Sequence, residues 1–132
     1  MPEWRDDLTI SNQERLWRRV PANDPDHVKK APITGEPRLS SAAFKSRTVL
    51  ISVAIASLTT PEDLLVGYPE HSIVEVTARV VREAGCIIVR DPKPGDTAHA
   101  HIIGTKREDG HLTPSEVGNI ANQATWVIYK EP

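Results

Sequence analysis

His99 and His101 are the residues whose type and spacing most directly suggest chemistry. They stand two apart in the stretch 98–104, which alternates as a β-strand does, so both imidazoles are expected to project from one face. Ring nitrogens placed that way can share one metal ion, with a third ligand from Asp91, Asp96, His71 or His111. They can equally take part in acid–base chemistry or contact a phosphate, because imidazole changes charge near neutral pH. The plainer alternative is a partly solvated face on which each ring is hydrogen-bonded to a neighbour. No His-Glu-x-x-His or Cys-x-x-Cys accompanies the pair, and no Gly-x-Gly-x-x-Gly, P-loop or Gly-x-Ser-x-Gly occurs anywhere.

A second set comprises Arg18 or Arg19, Ser40 with Ser41, and Glu75. The stretch 15–20 reads as a strand with Leu16, Arg18 and Val20 on one face and Arg15, Trp17 and Arg19 on the other. An arginine is therefore expected near the interior or lining a cleft. Either its guanidinium reaches water over its own apolar stem, or it faces an anion that its planar fork can grip at two points. The order arginine, serine, glutamate resembles that of the arginine–serine–glutamate ADP-ribosyltransferases. The resemblance implies Arg18 or Arg19 on the phosphate of a nicotinamide dinucleotide, Ser40 and Ser41 in positioning, and Glu75 as the catalytic carboxylate near the ribose. The chain departs from that pattern: Leu39-Ser40-Ser41-Ala42 replaces Ser-Thr-Ser, and the paired-glutamate motif is absent. The chain also resembles a group of short bacterial proteins, through Leu16-Trp17-Arg18-Arg19-Val20-Pro21, Ser40-Ser41-Ala42-Ala43-Phe44, Asp91-Pro92 and Ala98-His99-Ala100-His101. That likeness implies a freestanding accessory protein, with no activity attached.

The elements that must position these residues are legible in part. Residues 72–77 alternate as a β-branched strand, Thr77 is placed to cap a helix over 78–84, and Gly85 is suited to close it. The apolar run from Cys86 to Val89 is too short for an ordinary helix and reads as a buried strand. Asp91-Pro92-Lys93-Pro94-Gly95-Asp96 is a turn leading back into the strand that carries the histidines. Strand, helix and strand in so few residues suggest a crossover joining parallel neighbours, followed by a hairpin. Upstream, Val49, Ile51, Val53 and Ile55 alternate with smaller residues, giving a strand with a large-residue face and a small-residue face. Thr60-Pro61-Glu62-Asp63 opens a short helix, and Thr113-Pro114-Ser115-Glu116 is a capping box opening another. The expected fold is α/β or α+β: a mixed sheet of five or six strands with three short helices mostly on one face.

Size places 15–132 in a single domain, after a mobile lead-in at 1–14 whose Trp4, Leu8 and Ile10 can cover an edge of the core. Four prolines make 21–37 a loop, read as a flexible insertion. With 39% hydrophobic and 26% charged residues the chain has a globular balance, and a net charge of −2 gives no footprint for nucleic acid. The lone Cys86 excludes an intramolecular disulfide and a Cys-rich zinc site, and its apolar setting points to an inert thiol. No signal peptide or membrane span is visible, so a cytoplasmic location is expected. Lacking a complete catalytic set, the chain is expected to be a small binding or adaptor protein, with Trp4, Trp17 and Trp126 as anchors for a protein partner. A ligand-binding or enzymatic domain centred on His99 and His101 is the alternative.

Overall fold

A computed structural model describes residues 4–21, 28–30, 37–44 and 50–130. Among the described residues the strands are β1 (Arg15–Pro21), β2 (Val28–Lys30), β3 (Pro37–Leu39), β4 (Ile51–Ile55), β5 (His71–Thr77), β6 (Cys86–Arg90), β7 (His99–Gly104) and β8 (Thr125–Ile128). Three helices are α1 (Pro61–Leu64), α2 (Ala78–Glu83) and α3 (Pro114–Gln123), with 3₁₀ turns at Ser41–Phe44 and Ala56–Leu58. Six strands form one sheet in the order β6-β7-β4-β1-β5-β8, and β2 pairs with β3 in a separate ribbon. The class is α+β, as the alternation of strand and helix signals implies.

Alternation makes the main face of the sheet apolar apart from Arg18 and the buried Ser72. Leu16 and Val20 of β1, Ile51, Val53 and Ile55 of β4, Val74 and Val76 of β5, Ile88 of β6, and Ala100 and Ile102 of β7 share one core. Val81 of α2, Val117, Ile120 and Ala121 of α3, and Phe44 close over it. The start of α3 is fixed by the expected capping box: Thr113 Oγ1 accepts from the Glu116 amide and Glu116 Oε1 accepts from the Thr113 amide at 2.7 Å. On the opposite face, a smaller cluster joins Trp17, Ile73 and Ala56 of the second 3₁₀ turn to Leu64, Leu65, Val127 and Ile128, with α1 contributing Leu64.

Every pairing in the six-stranded sheet is antiparallel, so the expected parallel neighbours are absent. β5 and β6 do run the same way, but β1, β4 and β7 lie between them. In a flat sheet they would stand about 19 Å apart. The six residues of α2 rise only about 9 Å, yet α2 packs on both strands. The sheet is therefore curled around the core, and α2 spans its concave side. The return from β6 to β7 is the expected hairpin: Lys93 and Asp96 exchange backbone hydrogen bonds, and Gly95 takes the left-handed φ of 76° that the reversal needs.

The described part of the N-terminal segment is fastened to the domain rather than leading loosely into it. Asp6 accepts from Arg82 and from the Ile88 amide, the Asp7 amide donates to the Ile88 carbonyl, and Ile10 is buried. The outer edge of β6 is thereby covered, which removes an open template for strand pairing. Charge pairing from 76 to 83 residues away carries no local pattern, which is why the sequence suggested a loose end. Most of the proline-rich stretch 21–37 lies outside the described residues; its described parts give the β2–β3 ribbon. Among the described residues no helix is long and apolar enough to cross a membrane.

Candidate functional site

The β1–β4 ladder is only two residues long, Leu16 opposite Ile55 and Trp17 opposite Ala54. Beyond it the strands part. Arg18, on the core side of β1, bridges the gap: its Nε donates to the Ala43 carbonyl at 2.6 Å and its NH1 to the Ser52 carbonyl at 2.7 Å. Its guanidinium lies over the Phe44 ring. Burial, and then the charge of Arg19, bring the Arg18 pKa down to about 10, so it remains a cation at neutral pH. Two of its donors are held by backbone, while the residue also borders a cleft on the other side of the gap. One of the two carbonyls, that of Ser52, belongs to β4, and the other, that of Ala43, to the 3₁₀ turn at Ser41–Phe44.

On the other side of the same gap is a cleft of about 140 Å³. Ser52 and Ala54, from the small-residue face of β4, line it together with Trp17 and Arg19 of β1. Leu64 from α1, Asp96 from the β6–β7 turn, His71 and His99 add to the wall, and Arg18 and Val53 border it from the core side. The small side chains on this face of β4 leave a hollow. A wider groove of about 530 Å³ shares Arg19, Leu64 and Asp96 and runs out past Leu58, Asp63 and Val66.

His99 and His101 do share a face, opposite Ala54 and Ser52 of β4. Their rings meet edge to face with centroids 4.8 Å apart. Asp91, the first residue after β6, holds both. His101 Nε2 lies 2.9 Å from its Oδ2, and His99 Nδ1 lies 3.1 Å from its backbone carbonyl and 3.5 Å from Oδ2. These bonds assign the tautomers: His99 donates from Nδ1, which leaves its Nε2 lone pair as the basic nitrogen, and His101 donates from Nε2. His101 Nδ1 is buried with no partner. The hydrogen bond to His101, foremost, holds the Asp91 carboxyl below the usual carboxylate range.

One ligand atom from each of Asp91, His99 and His101 falls within 4.8 Å of the others, a set able to hold a metal ion. Of the third ligands named from sequence, Asp91 is therefore the one brought up. His111 instead pairs with Asp109, and Asp96 and His71 lie in the cleft wall. The fit to a metal is incomplete. Coordination through His101 Nε2 would move its proton to Nδ1, which has no acceptor, whereas ligating imidazoles donate their second N–H.

The arginine–serine–glutamate set does not converge. Glu75 accepts from the Trp17 indole N–H at 3.0 Å and pairs with Arg15 at 3.7 Å. It stands in the cross-strand row Glu75, Trp17, Ala54, His99, so two intervening strands separate it from the histidine. Arg18 points to the opposite face. Ser40 and Ser41 lead into the 3₁₀ turn that packs on α3, on the core side of the sheet. Of that set the two arginines border the cleft, Arg19 from the open face and Arg18 from the core side with two of its donors held by backbone carbonyls.

The three tryptophans are engaged within the molecule. Trp17 is 6% exposed, Trp126 donates to the Pro37 carbonyl, and Trp4 lies so close over Gly110 that a Cβ there would fall 2.8 Å from its ring. Sequence reasoning missed His71 as a cleft residue in its own right. Its position at the start of β5, on the same face as Ile73 and Glu75, was the available signal. Comparison with family models, with curated proteins and with solved structures finds no match to this chain.

Proposed function

We propose that this protein binds a small polar molecule in the cleft between β1 and β4, where His99 exchanges a proton with it. The observation that carries the reading is the orientation of His99. Asp91 occupies Nδ1, so the free nitrogen belongs to a ring that lines the cleft. A general base needs this arrangement: a positioned imidazole with one nitrogen oriented and the other open to the ligand. His101 supports Asp91 rather than reaching ligand, because one of its nitrogens is bonded and the other is buried. The test is an NMR screen of small organic acids, alcohols and amines against the labelled protein. Binding is expected to move the Trp17 indole N–H resonance and to be lost in Ala54→Leu, which fills the hollow. Compounds that bind without touching the cleft resonances, or a screen with no binder, would overturn the reading.

A metal at Asp91, His99 and His101 is the second reading, favoured by the 4.8 Å clustering of their ligand atoms. Titration with zinc separates the two. Saturable binding that disappears in His101→Ala supports the metal, and heat of binding at background level removes it. A protein partner remains a proposal on a different surface from the tryptophans: Leu58, Val66 and Tyr68 are 47%, 73% and 40% exposed along 58–68.

A further inference from the structure

We infer that the cleft ligand is a small carboxylic acid, whose carboxylate docks on Arg19 while its carbon chain runs towards His99. This rests on the cleft reading above and adds the class of ligand.

Arg19 carries five N–H donors in a planar fork. One, at NH1, donates to the Leu64 carbonyl at 3.0 Å. The guanidinium carbon lies 3.8 Å from the centroid of the Tyr68 ring. Stacking of this kind fixes the plane of the fork while leaving its in-plane donors open. Among the described residues no carboxylate comes within ion-pair distance of Arg19. A pre-oriented cation with spare donors in a cleft wall is what two-point recognition of a carboxylate requires.

The rest of the cleft narrows the choice. Trp17, Ala54 and Leu64 supply apolar wall for a hydrocarbon chain. Asp96 shares the cleft with Arg19, and Asp63 joins it in the wider groove. Two acidic groups near the mouth disfavour a phosphate dianion more than a carboxylate monoanion. Trp17 stands two strands from His99 across Ala54, and Arg19 lies two residues further along β1, so the backbones bearing Arg19 and His99 stand about 12 Å apart. A chain of a few carbons spans from guanidinium to imidazole across that distance.

The test titrates the labelled protein with butyrate, n-butanol, butylamine and inorganic phosphate, following amide and indole resonances by NMR. Butyrate is expected to bind saturably, shifting Arg19, Ala54 and the Trp17 indole, and to bind at least tenfold more weakly to Arg19→Gln. Butanol is expected to bind more weakly than butyrate to the native protein and equally to both forms, which separates lost recognition from a damaged cleft. Should Arg19→Gln fail to fold, Ala54→Leu keeps the arginine and is expected to abolish butyrate binding. Butanol or butylamine bound in the cleft with butyrate no tighter would overturn the carboxylate assignment and leave the cleft reading standing. Phosphate bound in preference to butyrate would do the same. No binding by any of the four would overturn both.

Discussion

Arg18 and Arg19 are adjacent in sequence, project from opposite faces of β1, and flank the same gap between β1 and β4. Arg18 seals the core side by donating to the Ala43 and Ser52 carbonyls; Arg19 borders the cleft on the other side. The two should respond differently to substitution. Arg18→Met leaves two carbonyls without their charged donor and is expected to cost about 2–3 kcal/mol. Arg18→Lys should not rescue it, since a point ammonium lacks the fork that reaches both oxygens. Arg19→Gln loses one hydrogen bond and a ring contact, about 1 kcal/mol. Urea unfolding midpoints of the three variants measure the contrast.

His71 should make stability depend on pH. Burial, and then the charges of Arg19 and Lys130, lower its pKa from 6.5. The folded state therefore binds this proton less readily than the unfolded state does. The contribution is full above the unfolded value, falls as pH drops below 6.5, and levels off beneath the folded pKa. Unfolding midpoints measured across that window should decline in the native protein and flatten in His71→Gln. An NMR titration should also show the His71 midpoint rising in Arg19→Gln.

Cys86 should be chemically silent in the folded protein. Burial, followed by the neighbouring Glu116 carboxylate, pushes its thiol up to about 12, so almost no thiolate exists at neutral pH. A disulfide reagent at pH 8 is expected to label it only as fast as the chain unfolds. Labelling that outpaces unfolding would contradict the buried placement.

Asp6 should matter more than its place near the N-terminus suggests. Its carboxylate accepts from Arg82 Nε at 2.9 Å and from the Ile88 amide at 3.0 Å. Asp6→Ala leaves the Ile88 amide without a partner and the Arg82 guanidinium with only Asn12 Oδ1 and the Asp7 carbonyl, a loss of about 2 kcal/mol. Limited proteolysis should then cut within residues 4–14 sooner than in the native protein, and uncovering β6 should promote self-association.

Several features were legible because their cause is local. The alternation in β4 and β7 comes from the two-residue period of a strand, which put His99 and His101 on one face. The caps of α1, α2 and α3 are contacts between residues three apart, so Thr60, Thr77 and Thr113 marked them directly. Strand adjacency is different in kind. Nothing between Thr77 and Cys86 indicates that β1, β4 and β7 insert between the strands on either side, because partner choice depends on long-range burial.

From its sequence alone this chain determined the alternation of β1, and hence that Arg18 and Arg19 face opposite ways. It also determined the pairing of the two imidazoles, the inert cysteine and the helix starts, all set by backbone period and capping within a few residues. Tertiary structure alone decided which face of β1 would be covered by α3 and which left open. It also decided that Asp91 would hold both histidines, and that Glu75 would bond to Trp17 instead of joining them. Those outcomes follow from where the β1–β4 ladder stops and how the sheet curls, relationships among segments that meet only once the core is packed.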